Sequence, residues 1–373
     1  MTDKLGIGIL GCGNISAAYM RLAPLFKGIE VRACADLNAE AAKARAEEFN
    51  LRAETVDGLL AASDIDIIVN LTVPAAHFEV SKSVLEAGKN VYSEKPFVLS
   101  VEEGQALAKL AADKGLRVGS APDTFLGGAH QLARHLIDEG AVGLVTSGTC
   151  FVQSPGMEMW HPNPDFFFKP GGGPILDLGP YYISNLMQLL GPVKRVTAMS
   201  TSGSEYRTIT SEPRHGEKIK VETPTTIHAV MQFHSGAQVT YCASWDVWQH
   251  GHSNMELYGQ NGTLHVPDPN FFGGEIRLTE KGAFATVSED WKHPFSVAND
   301  GSHANYRTAG LADMALAILQ GRPHRCSLEF SLHVVDVMTS ILASGDAGEY
   351  KDILTTCERP EALGPQAAQD LLA

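Results

Sequence analysis

Leu5-Gly6-Ile7-Gly8-Ile9-Leu10-Gly11-Cys12-Gly13-Asn14-Ile15-Ser16 runs from an apolar strand through a glycine turn into residues with helical spacing. Gly11 permits the tight turn, and Gly13 lets the backbone approach a pyrophosphate. Ser16 stands where a third glycine is usual and is small enough for close helix–strand packing. Ile15 to Phe26 has helical spacing, and the helix N-terminus presents unpaired N–H groups and its positive dipole end to an anion, with Asn14 and Ile15 expected at the cofactor. By itself such a turn is a weak signal, because a purely structural turn reads the same way. The next apolar strand, Ile29 to Ala35, ends at Asp36, about 20 residues past Ser16, where an acid binds the adenosine ribose diol. Strand, glycines, helix, strand and acid in this order predict a dinucleotide cradle. Leu37 and Asn38 follow, with no arginine beside the ribose, and a carboxylate repels a 2′-phosphate. NAD is therefore expected over NADP, unless Arg32 or Lys43 folds inward.

Strand and helix signals go on alternating to about Ser120. Ile65 to Leu71 is a third apolar strand, Ala75 to Ala87 a helix, Asn90 to Ser93 a short strand and Val101 to Lys114 a helix. Continuous apolar strands joined by helices imply a parallel sheet covered on both faces. Beyond Pro122 the rhythm changes. Alternating strands at Val145 to Val152, Arg195 to Ser200, Thr226 to Phe233, Gln238 to Ser244, Met255 to Tyr258 and Thr263 to Val266 follow one another through turns such as His234-Ser235-Gly236. Helices are expected at Ala129 to Asp138, Ile183 to Leu190, Ala304 to Gln320 and Leu328 to Leu342. The expected architecture is thus an α/β Rossmann domain over residues 1–122. An α+β domain with a large, mostly antiparallel open sheet then occupies residues 123–373.

The chain has 373 residues, too many for one ordinary core, and is 44% hydrophobic and 19% charged. With 29 basic and 43 acidic residues its net charge is −14, which argues against nucleic acid as a partner. No apolar run approaches the roughly 20 residues of a membrane helix. Met1-Thr2-Asp3-Lys4 leads straight into a strand without the pattern of a secretory signal. The six cysteines are scattered, and reduced buried thiols in a cytoplasm fit them better than a disulfide framework. His250-x-His252 has no Cys, Asp or Glu to complete a recognisable metal site, so no metal is expected.

Two further segments carry chemistry. Ser93-Glu94-Lys95-Pro96 supplies a cationic lysine, and Gly171-Gly172-Gly173-Pro174-Ile175-Leu176-Asp177-Leu178-Gly179-Pro180-Tyr181 supplies a carboxylate and a phenol. Together with Leu71-Thr72-Val73-Pro74-Ala75-Ala76-His77 and Glu86-Ala87-Gly88-Lys89-Asn90-Val91 they resemble the Gfo/Idh/MocA oxidoreductases over nearly the whole chain. Gly321-Arg322-Pro323 is similar to the family's late turn. The resemblance implies a Rossmann domain, then an open-sheet domain used for substrate binding and oligomerisation, commonly in a homodimer or homotetramer. It places Lys95 beside the nicotinamide and the reacting hydroxyl, and Asp177 facing the substrate. Tyr181 stands where the family usually has histidine, as in the glucose–fructose oxidoreductase and dihydrodiol dehydrogenase branches. The family's N-x-R-F-like stretch here reads Pro122-Asp123-Thr124-Phe125, without the arginine.

What the resemblance implies is an NAD-dependent dehydrogenase acting on a secondary hydroxyl of a sugar, sugar derivative or cyclic polyol. A redox-assisted glycosidase that retains NAD and a non-catalytic nucleotide sensor are the alternatives. Tyrosine ordinarily titrates near 10 and needs a nearby ammonium to serve as a base. Tyr181 is therefore read as the acid/base, Lys95 as its electrostatic stabiliser and Asp177 as the orienting group. The plainer alternative is that Lys95 alone contacts the hydroxyl while Tyr181 packs. If its segment is helical, Tyr181 lies one turn past Asp177 on the same face, and Tyr182 is rotated away. Thr72, Pro74 and Glu94 are expected along the cofactor. His77 is read either near the cofactor ribose or as a plain helix-start histidine. Trp160 and His161 could form a substrate wall, and a plain loop is the alternative. Trp245, Asp246, Trp248 and His250 are read as lining the same cleft or a subunit interface.

Overall fold

The computed structural model describes residues 4–373, which divide into two compact units. The first comprises residues up to Gly128 together with Lys292–Leu332 and Pro360–Ala373. The second comprises Ala129–Trp291 and His333–Arg359.

In the first unit six parallel strands alternate with helices. They are β1 (Leu5–Leu10), β2 (Ile29–Ala35), β3 (Arg52–Glu54), β4 (Ile67–Asn70), β5 (Asn90–Ser93) and β6 (Val118–Ser120), in the order β3-β2-β1-β4-β5-β6. The helices between them are α1 (Asn14–Leu22), α2 (Ala39–Phe49), α3 (Val56–Ala61), α4 (His77–Glu86) and α5 (Val101–Lys114). Ile7, Ile9, Ile67, Ile68, Val69 and Val91 are all fully buried, as strands covered on both faces must be. Strand order reverses between β2 and β4 around β1, and the glycine turn sits at that switch point, on the carboxyl end of β1. Asn38 caps α2 and Ser100 caps α5, each accepting from backbone N–H groups of the first turn.

The second unit begins with α6 (Gly128–Asp138), whose first residue closes the first unit. Its large sheet contains β7 (Val145–Gln153), β8 (Val193–Thr201), β11 (Thr226–Phe233), β12 (Gln238–Ser244), β13 (Met255–Gly259), β14 (Gly262–Val266), β15 (Ile276–Glu280), β16 (Val287–Glu289) and β17 (Lys351–Asp352). A separate hairpin pairs β9 (Tyr206–Thr208) with β10 (Lys218–Lys220). The large sheet has the order β16-β15-β14-β13-β7-β12-β11-β8-β17, and among the described residues its pairings are antiparallel except for β7 with β12. Alternation is plain in β11, where Ile227, Ala229, Met231 and Phe233 are buried and the residues between them face outward.

Helix α7 (Pro174–Leu190) starts nine residues earlier than the apolar periodicity from Ile183 suggests. Gly173, at φ 90°, ends the loop, and Pro174 takes the first helical position, where its missing N–H costs nothing. Pro180 lies inside the helix, and such a residue ordinarily signals a helix end. Helix α8 (Ala309–Gln320) starts later than expected, and α9 (Leu328–Ala347) runs longer. Strands β3, β9, β10, β15, β16 and β17 carry no sequence signal strong enough to predict them. The chain ends with α10 (Pro365–Leu371).

Candidate active site

The glycine turn is built for a chain that must pass close to its neighbours. Gly11 has φ 101°, and a Cβ there would lie 2.7 Å from the Leu71 carbonyl oxygen. Only glycine meets both conditions. Gly13 differs, since a Cβ on it would meet nothing within 4 Å. The backbone at the opening of α1 thus borders open space, and helix N-terminal N–H groups at Asn14 and Ile15 are the donors a pyrophosphate takes. Ser16 is buried and donates its hydroxyl to the Gly13 carbonyl at 2.6 Å, which fixes the turn from inside.

Asp36 is held at the edge of this cradle. Its Oδ2 accepts from the Cys12 N–H at 2.7 Å and its Oδ1 from the Asn38 N–H at 2.8 Å. A carboxylate has about four lone-pair positions, so two remain for hydroxyl donors such as a ribose diol. Arg32 is drawn instead to Glu30 and to the Asp64 carbonyl. Arg45 on α2, a residue that sequence reading passed over, does approach the turn, with Nη2 3.4 Å from the Gly13 carbonyl and Nη1 paired to Glu48. These features fit a nicotinamide dinucleotide, with Gly11, Gly13, Asn14 and Ile15 at the pyrophosphate and Asp36 at the ribose.

The loop after β4 is fastened from below. Asn70, fully buried, accepts from the Thr72 hydroxyl at 2.7 Å and donates to the His77 carbonyl and to Ser81, each at 3.1 Å. Pro74 opens a single 3-10 turn, and Val73 beside it is 67% exposed. His77 begins α4 and is 1% exposed, with Nδ1 2.7 Å from the Pro96 carbonyl and Nε2 3.0 Å from the Thr72 carbonyl. Burial lowers its pKa against the opposing pull of those two carbonyls. Its ring ties the Thr72 loop to the Glu94-Lys95-Pro96 segment.

Glu94 is similarly committed. Its Oε1 accepts from the Tyr19 hydroxyl and from Arg307, both at 2.9 Å, while Oε2 accepts from the Lys95 N–H at 2.9 Å. Burial would raise its pKa, but the Arg307 charge and the Lys95 N–H outweigh that, and the carboxyl is held below its usual range. Asp123, Arg307 and Tyr19, which complete this cluster, are scattered along the sequence, and the stretch around Asp123 gives no hint of this role.

In the second unit, α7 carries Asp177 in its first turn and Tyr181 one turn later, so the helical condition for a shared face is met. Tyr181 is 6% exposed. Tyr182 is engaged elsewhere, donating to Asp268 at 2.8 Å and accepting from Asn254 at 3.2 Å. Burial and the Asp268 carboxylate push its phenol far up.

The loop that leads into α7 rests on aromatic side chains. Gly173 N–H donates to the Phe167 carbonyl at 2.7 Å, and a Cβ on Gly172 would lie 2.5 Å from the carbonyls of Phe166 and Phe167. Phe168 and Trp245 are fully buried and pack with Phe167, Met157, Ile209 and Ile219. Trp160 is 65% exposed and stands edge-on to His161 at 5.4 Å, and His161 meets Phe166 at 5.5 Å. An open aromatic wall therefore adjoins the start of α7. Trp245 belongs to the core rather than to any cleft or interface, because its ring fills that apolar cluster. Asp246 accepts from the Thr225 and Thr226 hydroxyls and pairs with Arg207, which is a structural anchor. Trp248 is 79% exposed. His252 stacks on Phe151 at 4.1 Å, and no group of three or more metal-ligating side chains occurs among the described residues. Cys12, Cys34, Cys150, Cys242 and Cys326 are buried cysteines, and Cys357 is half-buried.

Residues 5–121 match the oxidoreductase family with an NAD-binding Rossmann fold, and residues 130–265 match the GFO/IDH/MocA C-terminal domain. A dTDP-3,4-didehydro-2,6-dideoxy-alpha-D-glucose 3-reductase from Saccharopolyspora spinosa is 30% identical over 77% of this chain and 83% of its own. The chain belongs to the Gfo/Idh/MocA family of oxidoreductases. It is an NAD(P)-dependent oxidoreductase. A levoglucosan dehydrogenase from Pseudarthrobacter phenanthrenivorans is 26% identical over 77% of this chain and 78% of its own. Among solved structures, a levoglucosan dehydrogenase in complex with NADH and L-sorbose superposes with a TM-score of 0.80 at 21% identity, over 95% of this chain and all of that one. That likeness establishes the fold. Among the described residues no helix is long and apolar enough to cross a membrane.

Proposed function

We propose that this member of the family is an NAD-dependent dehydrogenase of a secondary hydroxyl on a sugar, sugar derivative or cyclic polyol, working reversibly. The observation that carries the cofactor half is Asp36, pinned by the Cys12 and Asn38 N–H groups beside a glycine turn that borders open space. Fixed there, its oxygens accept from a ribose diol and disfavour a 2′-phosphate. The substrate half is supported by the relatives, which act on sugars, and by the open Trp160 and His161 wall, since an aromatic face suits the C–H face of a sugar ring.

Bound in the cradle, the nicotinamide supplies the hydride acceptor. The chain's own groups have the remaining work. Tyr181 takes the hydroxyl proton on its phenolic oxygen as the C–H bond gives up its hydride, and returns that proton in the reductive direction. Lys95 contributes positive charge that stabilises the reacting oxygen as its proton leaves. Asp177, one turn before Tyr181, orients the substrate hydroxyl. Glu94 and His77 hold the Lys95 segment, through the Lys95 N–H and the Pro96 carbonyl. The open sheet of the second unit is proposed as the surface through which the protein forms a homodimer or homotetramer.

The test is nicotinamide reduction by the purified protein, with NAD and NADP run separately against sugars, glycosides and inositols. Turnover with NAD that is lost in Lys95→Ala and Tyr181→Phe supports the proposal. Release of free sugar from a glycoside without net reduction of NAD overturns it.

A further inference from the structure

We infer that Arg307 is a positioning residue for Lys95, acting through the Glu94 carboxylate from a segment more than two hundred residues away. The inference rests on the proposed role of Lys95 and adds to it the device that holds the lysine's backbone. Three groups close on Glu94, which is 7% exposed: the Tyr19 hydroxyl, the Arg307 guanidinium and the Lys95 N–H, each at 2.9 Å. The first two converge on Oε1, leaving Oε2 to clasp the Lys95 peptide. Lys95 therefore cannot shift without disturbing a buried ion pair, and a charge-assisted bond of that kind is strong and directional.

The segment that delivers Arg307 is itself tied in place. Thr308, the next residue, has φ 89°, unusual for a β-branched side chain. Its N–H and that of Gly310 both donate to Oδ2 of buried Asp123, at 3.0 and 3.1 Å. On the other side, Tyr306 donates to the Val297 carbonyl at 3.0 Å and stacks on Phe295 at 4.6 Å. Arg307 is thus flanked by a residue in an unusual backbone conformation on one side and a packed, hydrogen-bonded tyrosine on the other, which indicates that the position of its guanidinium matters. A general surface ion pair needs no such support. Arginine suits the task, because its planar fork keeps a fixed geometry that an ammonium on a flexible stem lacks.

The experiment compares Arg307→Lys, Arg307→Met, Glu94→Gln and the Arg307→Met/Glu94→Gln double variant, each checked for folding by its thermal transition. With the best substrate at saturating NAD, Arg307→Met is expected to lower kcat at least tenfold. The substrate KM and the NADH dissociation constant, measured by fluorescence, should stay within threefold. Arg307→Lys should recover part of kcat, and the double variant should be no slower than the worse single variant, because the two residues act as one unit. An activity-independent arm measures competitive acetylation of Lys95 by mass spectrometry, with exposed Lys109 as reference. Its rate should change at least threefold in Arg307→Met. A kcat within twofold of wild type in folded Arg307→Lys and Arg307→Met overturns the inference, as do multiplicative losses in the double variant. If wild-type protein turns over none of the sugars, the proposed function fails and the acetylation arm decides this inference alone: an unchanged Lys95 rate refutes it.

Discussion

Replacing Asp123 by asparagine should make the protein more stable at neutral pH while leaving its stability near pH 4 almost unaltered. Asp123 is 3% exposed, and its Oδ2 accepts the N–H groups of Thr308 and Gly310. Burial pushes its carboxyl up from 3.8 to about 6, against the pull of the Arg307 charge and the Gly310 N–H. The folded form thus holds its proton more tightly than the unfolded chain does. Between about pH 4 and 6 the folded state carries a proton the unfolded state has released, so stability falls as pH rises through that window. At about 1.4 kcal/mol per pKa unit the full loss is on the order of 3 kcal/mol, and it is complete above the folded pKa. The amide oxygen of asparagine can stand where Oδ2 stands and accept both N–H groups without ever ionising. Urea unfolding of both proteins at half-unit steps from pH 4 to 7.5 measures the difference directly. The advantage of the variant should grow from near zero to about 3 kcal/mol as the wild-type carboxyl ionises. A difference that is flat across this range would show that Asp123 titrates normally, and one that grows as pH falls would reverse the sign of the reasoning.

Three further outcomes follow from the cradle and from α7. Asp36→Asn should improve NADP use relative to NAD at least about tenfold, since a like charge a few ångströms from a phosphate is worth on the order of 1–4 kcal/mol; the ratio of the two kcat/KM values reads it. Gly11→Ala should destabilise by roughly 2–5 kcal/mol in a thermal or denaturant transition, combining a left-handed backbone with a Cβ driven into the Leu71 carbonyl. Tyr182→Phe should cost about 1–3 kcal/mol of stability by stranding Asp268 and Asn254, yet keep kcat within a few-fold, whereas Tyr181→Phe should abolish turnover.

The Rossmann unit with its glycine turn and Asp36 was legible because its determinants are local. Gly11 is required by a turn that begins at the next peptide, and Asp36 closes the same strand–helix–strand unit. Spacing alone therefore locates both. The roles of Arg307 and Asp123 were not legible for the opposite reason: their partners lie 213 and 185 residues away in the chain, and the Pro122-Asp123-Thr124-Phe125 stretch does not say what its acid binds. His77 illustrates a middle case. Its place at the start of α4 is visible from the loop before it, but its engagement with Thr72 and Pro96 depends on how two strand ends lie side by side.

The choice between Tyr181 and Tyr182 shows how local and distant information combine. Helical spacing favours Tyr181, because four residues return the side chain to the face of Asp177. That argument requires the segment to be helical, although Pro180 lies within it. The loop geometry decides the matter: Gly171 and Gly173 take positive φ, Gly172 and Gly173 ride on the carbonyls of the aromatic turn, and Pro174 opens the helix ahead of both tyrosines. Tyr182 is then consumed by Asp268 and Asn254, so its phenol, pushed far above its usual range, is unsuited to exchange a proton at neutral pH. The bonds Tyr182 makes to Asp268 and Asn254 weigh against it as the acid/base and favour the proposed role of Tyr181.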